Sequence, residues 1–448
     1  MENSEEMVRV GNNFRSLIND LKRRPEDAAN ELGLTLEELK LIMDGKKHLS
    51  NVIISKAVGV WPINYRDLCL IKNDCPKGVK ILRYDESKST SRIMERAGKV
   101  YYEYRDTAMS RMAPFRPEWI EERCFVDDND PNNSSVQWNN GHFMHQFTYF
   151  VGDVNFYYIA SDGKKKVAVM NTGDSMYITP FVPHTFTTRK GAKKHGFILA
   201  LTYGNKVAGD AQQELSAIGS GIEFKYALDF SSKAKASGEL LAFNREAGSI
   251  SVEELSSRTG IDEGKIKIFE LGKAIPSAEE YEKISYALNV NVRDLLANDI
   301  IDEKVVVKMN SECKRWFYPS ATKAYEMLEL AATKNLPFSK SIEVSILTDQ
   351  GKEYDLKSGL HQYGYNVGDS NVSLNWIDNN QEYSQTIKPG DSFYIGPFIE
   401  HNFRKKGKLV LLRVPGKVVG EPQRELSLMP REYISRVNAE TKQWFNPD

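Results

Sequence analysis

The chain has 448 residues, 41% hydrophobic and 27% charged, with a formal net charge of −1, which is material for several packed cores and gives no overall pull toward nucleic acid or an anionic membrane. No apolar run is long enough for a transmembrane helix, and the opening MENSEEMVRV is too acidic and polar for a secretory signal. Cys69, Cys75, Cys124 and Cys313 form no CxxC pair, so a reduced, cytoplasmic protein is expected.

Residues 1–75 are expected to form short helices. In GNNFRSLINDLKRRPEDAANELGLTLEELKLIMDG, Thr35 and Glu38 make a capping box ahead of LEELKLIMDG, and Gly45 is a helix stop. Residues 76–210 change character. Alternating apolar positions, as in KKVAVMNTGDSMYI, are punctuated by Gly-Asp and Pro turns, the pattern of short strands in a sandwich or small barrel. A linker is expected near AGDAQQELSAIGSG (208–221). Residues 211–300 return to helix, with Ser251 as a cap and Gly260 as a stop before IDEGKIKIFELG. Residues 301–448 return to strand.

The chain also repeats itself, and repeats of this kind decide architecture. HQFTYFVGDVNFYYI (145–159) matches HQYGYNVGDSNVSLNWI (361–377). TGDSMYITPFVPHTFTTRKG (172–191) matches PGDSFYIGPFIEHNFRKKG (389–407). His145, Gln146 and His184 correspond to His361, Gln362 and His401, at offsets of 216 and 217 residues. The expected fold is α+β and multidomain, a tandem duplication of a helical unit followed by a β unit.

The helical units resemble helix-turn-helix domains of the phage-repressor type, best over 251–290. Fold does not settle function, and the helix after Thr35 begins with acidic residues where base contacts normally sit. A packing role is expected, and no nucleic acid partner. The β units resemble cupins. GDSMYITPFVPH and GDSFYIGPFIEH look like the second cupin signature, and 142–152 lies where the first belongs. A cupin brings inward side chains of a double-sheet barrel onto one metal.

His142 and Gln146 are four residues apart, so on a strand they share a face, whereas His145 points the other way. With His184 from the second signature, the expected metal set is His142, Gln146 and His184. His145 is expected to be structural, since its counterpart His361 persists where Ser358 replaces His142. The second β unit, left with Gln362 and His401, is expected to be a structural copy. His48 and His195, in lysine-rich stretches, are expected to be solvated.

Taken whole, the chain resembles the iron oxygenases that cleave 2-hydroxyethylphosphonate. The resemblance implies Fe(II) and O2, with no 2-oxoglutarate or external reductant, because the substrate supplies all four electrons. One branch of that family gives hydroxymethylphosphonate and formate and carries a glutamate ligand six residues before the second histidine. Here that position is Ile178. The other gives methylphosphonate and CO2 or bicarbonate and has a glutamine four residues after the first histidine, where this chain has Gln146. The methylphosphonate-forming reaction is therefore expected, with the dioxygenase reaction as the alternative. A ligand-sensing transcription regulator is the alternative of a different class; duplication, near-neutral charge and the complete ligand trio weigh against it. The resemblance also implies substrate contacts from Lys22, Arg96, Tyr104 and Asn139, with Lys22 and Tyr104 in catalytic roles. Arg or Lys at a phosphonate forms strong charge-assisted bonds. A homo-oligomer is compatible with the duplication.

Overall fold

The computed structural model describes residues 4–204, 206–299, 304–334, 336, 338–349, 351 and 353–439. It is an α+β structure in which two helical units alternate along the chain with antiparallel sheets.

The first helical unit contains Ser4–Asp20, Pro25–Leu32, Leu36–Met43, Asn51–Val60 and Tyr65–Leu68. Their apolar faces meet at Phe14, Ile18, Leu39, Ile42 and Trp61. The capping box is present: Glu38 N–H donates to Thr35 Oγ1, and the Glu38 carboxylate accepts from Thr35 N–H. Gly33 closes the preceding helix with φ +64°, a conformation that costs glycine little. The second unit has Lys233–Ala247, Val252–Thr259, Glu263–Glu270 and Ala278–Leu288. Ser251, Asp262 and Ser277 cap the last three, and Gly260 stands in the left-handed region. Thr35 with Glu38, Ser251 and Gly260 stand where the sequence places them, and Gly33, Asp262 and Ser277 are further caps.

The strands of the first repeat are β1 (Val79–Leu82), β2 (Arg92–Arg96), β3 (Lys99–Asp106), β4 (Arg116–Glu122), β5 (His145–Val151), β6 (Val154–Ile159), β7 (Lys165–Met170), β8 (Ser175–Ile178), β9 (His184–Thr188) and β10 (Phe197–Tyr203). Those of the second are β11 (Val305–Lys308), β12 (Arg315–Tyr318), β13 (Tyr325–Glu329), β14 (Lys340–Ile346), β15 (His361–Asn366), β16 (Val372–Asp378), β17 (Gln381–Ile387), β18 (Ser392–Ile395), β19 (Glu400–Arg404) and β20 (Gly407–Val414). They form two seven-stranded sheets, β11-β8-β5-β10-β4-β3-β2 and β1-β18-β15-β20-β14-β13-β12, and two three-stranded sheets, β7-β6-β9 and β17-β16-β19.

The sheets do not respect the expected boundaries at 76 and 301. β1 pairs with β18 of the second repeat, Val79 opposite Ile395, and β11 pairs with β8 of the first, Val305 opposite Ile178. Each repeat thus lends the other an edge strand.

The alternation of β5 explains the next layer. All but its last residue are buried, because both faces of its sheet are covered. Phe150, with Phe156, Met176, Ile178, Phe186 and Ile198, fills the space between the two sheets of the first repeat. Phe147 and Tyr149 face the other way, into a core shared with Tyr363, Tyr394 and Val410 of the second repeat. Tyr149 Oη donates across that boundary to Glu343 at 2.6 Å. At roughly 25 cal/mol per Å2 of apolar surface, this shared core binds the repeats into one body.

Candidate active site

Gln146 is the second residue of β5 and faces the space between the first repeat's two sheets with Thr148 and Phe150, whereas His145 faces the shared core. His145 Nδ1 bonds Tyr177 Oη, and the two rings stack. His361 makes the same bond to Tyr394, at 2.6 Å. The opposite directions expected for Gln146 and His145 are thus seen. His142 is a different case: it lies in the loop before β5, so alternation does not aim it. Its ring is set by Nδ1, 2.7 Å from Met144 O. The loop itself depends on Gly141, at φ +74°; a Cβ there would lie 2.6 Å from the Phe181 backbone. Phe181 N–H donates to His142 O at 2.8 Å and ties this loop to the one before β9.

His184 opens β9 and is 3% exposed. Its Nδ1 bonds Val182 O at 2.8 Å. Burial lowers its pKa to about 4, against the raising effect of that backbone bond, so it is neutral at ordinary pH. In both histidines Nδ1–H is occupied by a backbone carbonyl, which leaves Nε2 as a lone-pair donor, the usual preparation of a metal-ligating imidazole.

The His142 and His184 rings meet edge to face with centroids 5.2 Å apart. Gln146 Oε1 lies 3.0 Å from His142 Nε2, while Gln146 Nε2–H donates to Thr148 Oγ1 at 2.9 Å. With Nδ1–H given to Met144 O, His142 Nε2 and Gln146 Oε1 stand as two lone-pair atoms 3.0 Å apart, an arrangement that a cation bound by both satisfies. Among the described residues no three His, Cys, Asp or Glu side chains gather as a metal set, so a third protein donor here is the amide. Two imidazoles and an amide leave positions open for exogenous ligands, a set that fits a first-row divalent metal.

Ile178 is directly opposite Gln146 in the β5–β8 register. A ligand on β8 and a ligand on β5 are thus neighbours across one strand pair, within ~5.5 Å at Cβ.

Arg96 is half-buried. Its guanidinium donates to Gln137 O at 2.8 Å and to Thr185 Oγ1 at 3.2 Å, and it sits 5.2 and 4.8 Å from the ring centroids of Tyr101 and Tyr102. Thr185 is the residue after His184, so the cation stands beside the ligand set. Tyr104 meets Tyr102 edge-on at 5.9 Å, and burial pushes its phenol up to about 12, so it is a neutral donor. Asn139 clamps His184: Oδ1 accepts from His184 N–H at 2.9 Å, and Nδ2 lies 3.3 Å from His184 Nε2. Asn139 thus touches His184, Arg96 touches its neighbour Thr185, and Tyr104 packs on the Tyr102 ring that also carries Arg96. Lys22 is exposed in the turn after the first helix at φ +57°, its N–H bonded to Asn19 O. His195 is not simply solvated as expected: Nδ1 bonds Glu122 O at 2.9 Å and its ring packs on Phe125 at 4.5 Å.

The second repeat has the same frame with different contents. Phe398 N–H donates to Ser358 O at 2.7 Å, as Phe181 does to His142. His401 Nδ1 bonds Ile399 O at 2.9 Å, and Gln362 Nε2 lies 3.3 Å from His401 Nε2. Gln362 Oε1, however, accepts from Arg413 Nε at 2.7 Å. Arg413 stands opposite Gln362 in register, where the first repeat has Thr202 opposite Gln146. A guanidinium meets the amide oxygen there. Arg413 and the buried carboxyl of Glu122 are the residues that reading motifs missed. For both, a charge at an inward-facing strand position was the available signal.

No family model matches the chain. Among solved structures, the hydroxyethylphosphonate dioxygenase of Streptomyces albus, with substrate 2-hydroxyethylphosphonate and Fe(II) bound, is 36% identical with a TM-score of 0.90, covering 99% of this chain and 100% of that one. Another 2-hydroxyethylphosphonate dioxygenase structure, 18% identical with a TM-score of 0.75 over 95% of this chain and 100% of that one, shares the fold. Fold and sequence likeness thus define an oxygenase of the hydroxyethylphosphonate dioxygenase class. The methylphosphonate synthase of Nitrosopumilus maritimus (strain SCM1) is 53% identical over 441 residues, 98% of this chain and 96% of that protein. The chain belongs to the methylphosphonate synthase family.

Proposed function

We propose that this protein is an O2-dependent, non-haem Fe(II) oxygenase that cleaves the C–C bond of 2-hydroxyethylphosphonate to methylphosphonate and CO2 or bicarbonate. The reaction balances without a co-reductant: 2-hydroxyethylphosphonic acid and O2 give methylphosphonic acid, CO2 and water. The observation that carries this reading is the pairing of Gln146, whose amide oxygen faces His142 Nε2, with Ile178 directly across the strand.

In this reading His142 and His184 supply neutral Nε2 donors and Gln146 a neutral amide oxygen. Fe(II) held there supplies the one-electron chemistry that O2 needs. A neutral amide leaves the metal's charge less compensated than a carboxylate does, which favours a dianionic substrate next to it. Arg96 binds the phosphonate from beside His184, Asn139 donates through its amide at the metal face, and the Tyr104 phenol donates without ionising. Lys22 brings a further cation from the helical unit to the mouth of the barrel. The helical units, helix-turn-helix-like, serve as packing and covering elements, the β units are a duplicated cupin pair, and the second cupin is structural. The four cysteines are free, in keeping with a reduced cytoplasmic setting, and no described helix is long and apolar enough to cross a membrane.

Phosphorus NMR of anaerobically iron-loaded protein, given 2-hydroxyethylphosphonate and then O2, tests this reading. Methylphosphonate is the expected product. Hydroxymethylphosphonate would keep the metal and substrate but refute the decisive role of Gln146, and no turnover would refute the substrate.

A further inference from the structure

Glu122 ends β4 with 0% exposure, and neither carboxyl oxygen has a hydrogen-bond partner among the described residues. Its backbone is well used: the carbonyl accepts from Thr188 Oγ1 and lies 2.9 Å from His195 Nδ1. The side chain lies on the same face of β4 as Ile120, which packs into the first repeat's interior. A buried acid without partners is costly, and proteins keep such features mostly where function needs them.

The strand registers show that this acid accompanies the active repeat only. Leu199 pairs with Trp119, and the equivalent Val410 pairs with Glu343. Three residues further along, Glu122 therefore corresponds to Ile346, an ordinary core residue of the second repeat. The repeat with both histidines has a carboxyl where the other has isoleucine.

Glu122 is opposite Tyr102 in the β3–β4 register, and Tyr102 is the ring that supports the Arg96 guanidinium. Arg96 is thus placed between the ligand histidine and the acid, and its charge acts on both His184 and Glu122. The other titratable groups acting on Glu122 or acted on by it are Tyr101, Tyr102 and Tyr104 on β3, Cys124 just beyond β4, and Glu121 beside it. Burial dominates, so Glu122 stays protonated well above the usual carboxylate range.

We propose that Glu122 is a positioning residue for Arg96, coupled to the substrate through a proton: as the acid it leaves the guanidinium to the phosphonate, and as the carboxylate it competes for that guanidinium. This rests on the phosphonate site proposed above. The consequence has a definite sign. Phosphonate affinity is highest while Glu122 is neutral, and it falls as pH rises through the Glu122 pKa, by about tenfold per pH unit for one linked proton.

The test is calorimetric titration of the anaerobic iron-loaded full chain with 2-hydroxyethylphosphonate from pH 7 to 10, in buffers of different ionisation enthalpy, alongside turnover in air. The expected wild-type result is an alkaline loss of affinity with uptake of about one proton there. Glu122→Gln keeps the shape but cannot ionise, so the alkaline loss and the proton uptake disappear. Glu122→Ile, the second repeat's own solution, removes the alkaline loss in the same way and raises Tm. An unchanged alkaline limb in Glu122→Gln overturns the inference, as does its absence from the wild type. Turnover with a pH profile indifferent to Glu122→Gln sinks the inference and leaves the function standing. Proton-linked binding without turnover does the reverse, and no binding at any pH sinks both.

Discussion

Gln146→Leu separates the metal-holding role of the amide from its structural one. In the metal-free chain Oε1 faces His142 Nε2 at 3.0 Å, acceptor to acceptor, so replacing the amide with a side chain of similar volume relieves ~1 kcal/mol. The same change removes the bond to Thr148 Oγ1, which is fully buried, at a cost of ~1 kcal/mol. The two offset each other, and apo Tm should stay within ~1 °C of wild type. Iron changes the balance. At a free concentration about 100 times its Kd, a ligand bound only by the folded state adds ~2.7 kcal/mol, which for 448 residues melting as one body is roughly 3 °C. Wild type should show that gain, and Gln146→Leu should lose most of it together with stoichiometric iron. Anaerobic scanning calorimetry with and without Fe(II), plus iron quantification, measures both. A variant that keeps one iron per chain and the full thermal gain would refute the ligand set built on this amide.

Three further outcomes follow from the structure. Lys22→Ala should raise KM several-fold at unchanged iron content; a wild-type KM in steady-state kinetics would return Lys22 to an exposed surface role. His401→Ala should keep kcat within about twofold while lowering stability by ~1–3 kcal/mol through its lost buried bonds, and an inactive but folded variant would make the second repeat catalytic. Glu103 is a pH probe of the sheet edge: burial alone raises it, but Arg105, Arg123 and Ser91 outweigh that and hold it at about 2. Its depressed folded pKa contributes stability above the unfolded value near 4.5, lost as pH falls toward 2, and worth up to about 3 kcal/mol. Glu103→Gln should therefore flatten the difference between urea midpoints at pH 5 and pH 3; an equal fall in variant and wild type would exclude the network as its source.

Local chemistry was the legible part of this fold. Thr35 with Glu38, Ser251 and Gly260 announce helix ends because capping is decided within four residues. The alternation of HQFTYFV announces which side each residue of β5 takes. His142 is instructive, since its inward aim was expected from alternation but comes from a glycine-bound loop and a bond to Met144 O. The strand exchange was not legible. VKIL and VVVK are short apolar runs, and nothing local tells either that its partner lies in the other repeat. Glu122 and Arg413 were hidden for another reason: each belongs to no motif, and its meaning depends on the residue across the sheet.

That cross-sheet view explains why a repeat without a full ligand set is kept. In the second barrel Arg413 gives Gln362 Oε1 a permanent cation, so the amide there has no acceptor-to-acceptor conflict left for a metal to resolve. A guanidinium ties up the same oxygen at every pH and needs no third ligand, which lets Ser358 stand where His142 does. The second repeat also supports the first mechanically. Its β11 closes the active sheet along β8, with Val305 against Ile178, the residue facing Gln146 on the other side. Were β8 an open edge, its backbone groups would compete for water and for other strands, and Ile178 could drift toward the ligand amide. The loan of β1 in the other direction makes the support mutual. On the proposed reading, the first repeat commits inward positions to the reaction, with a buried acid at Glu122, whereas the second fills the equivalent positions with Ile346 and the Arg413–Gln362 bond.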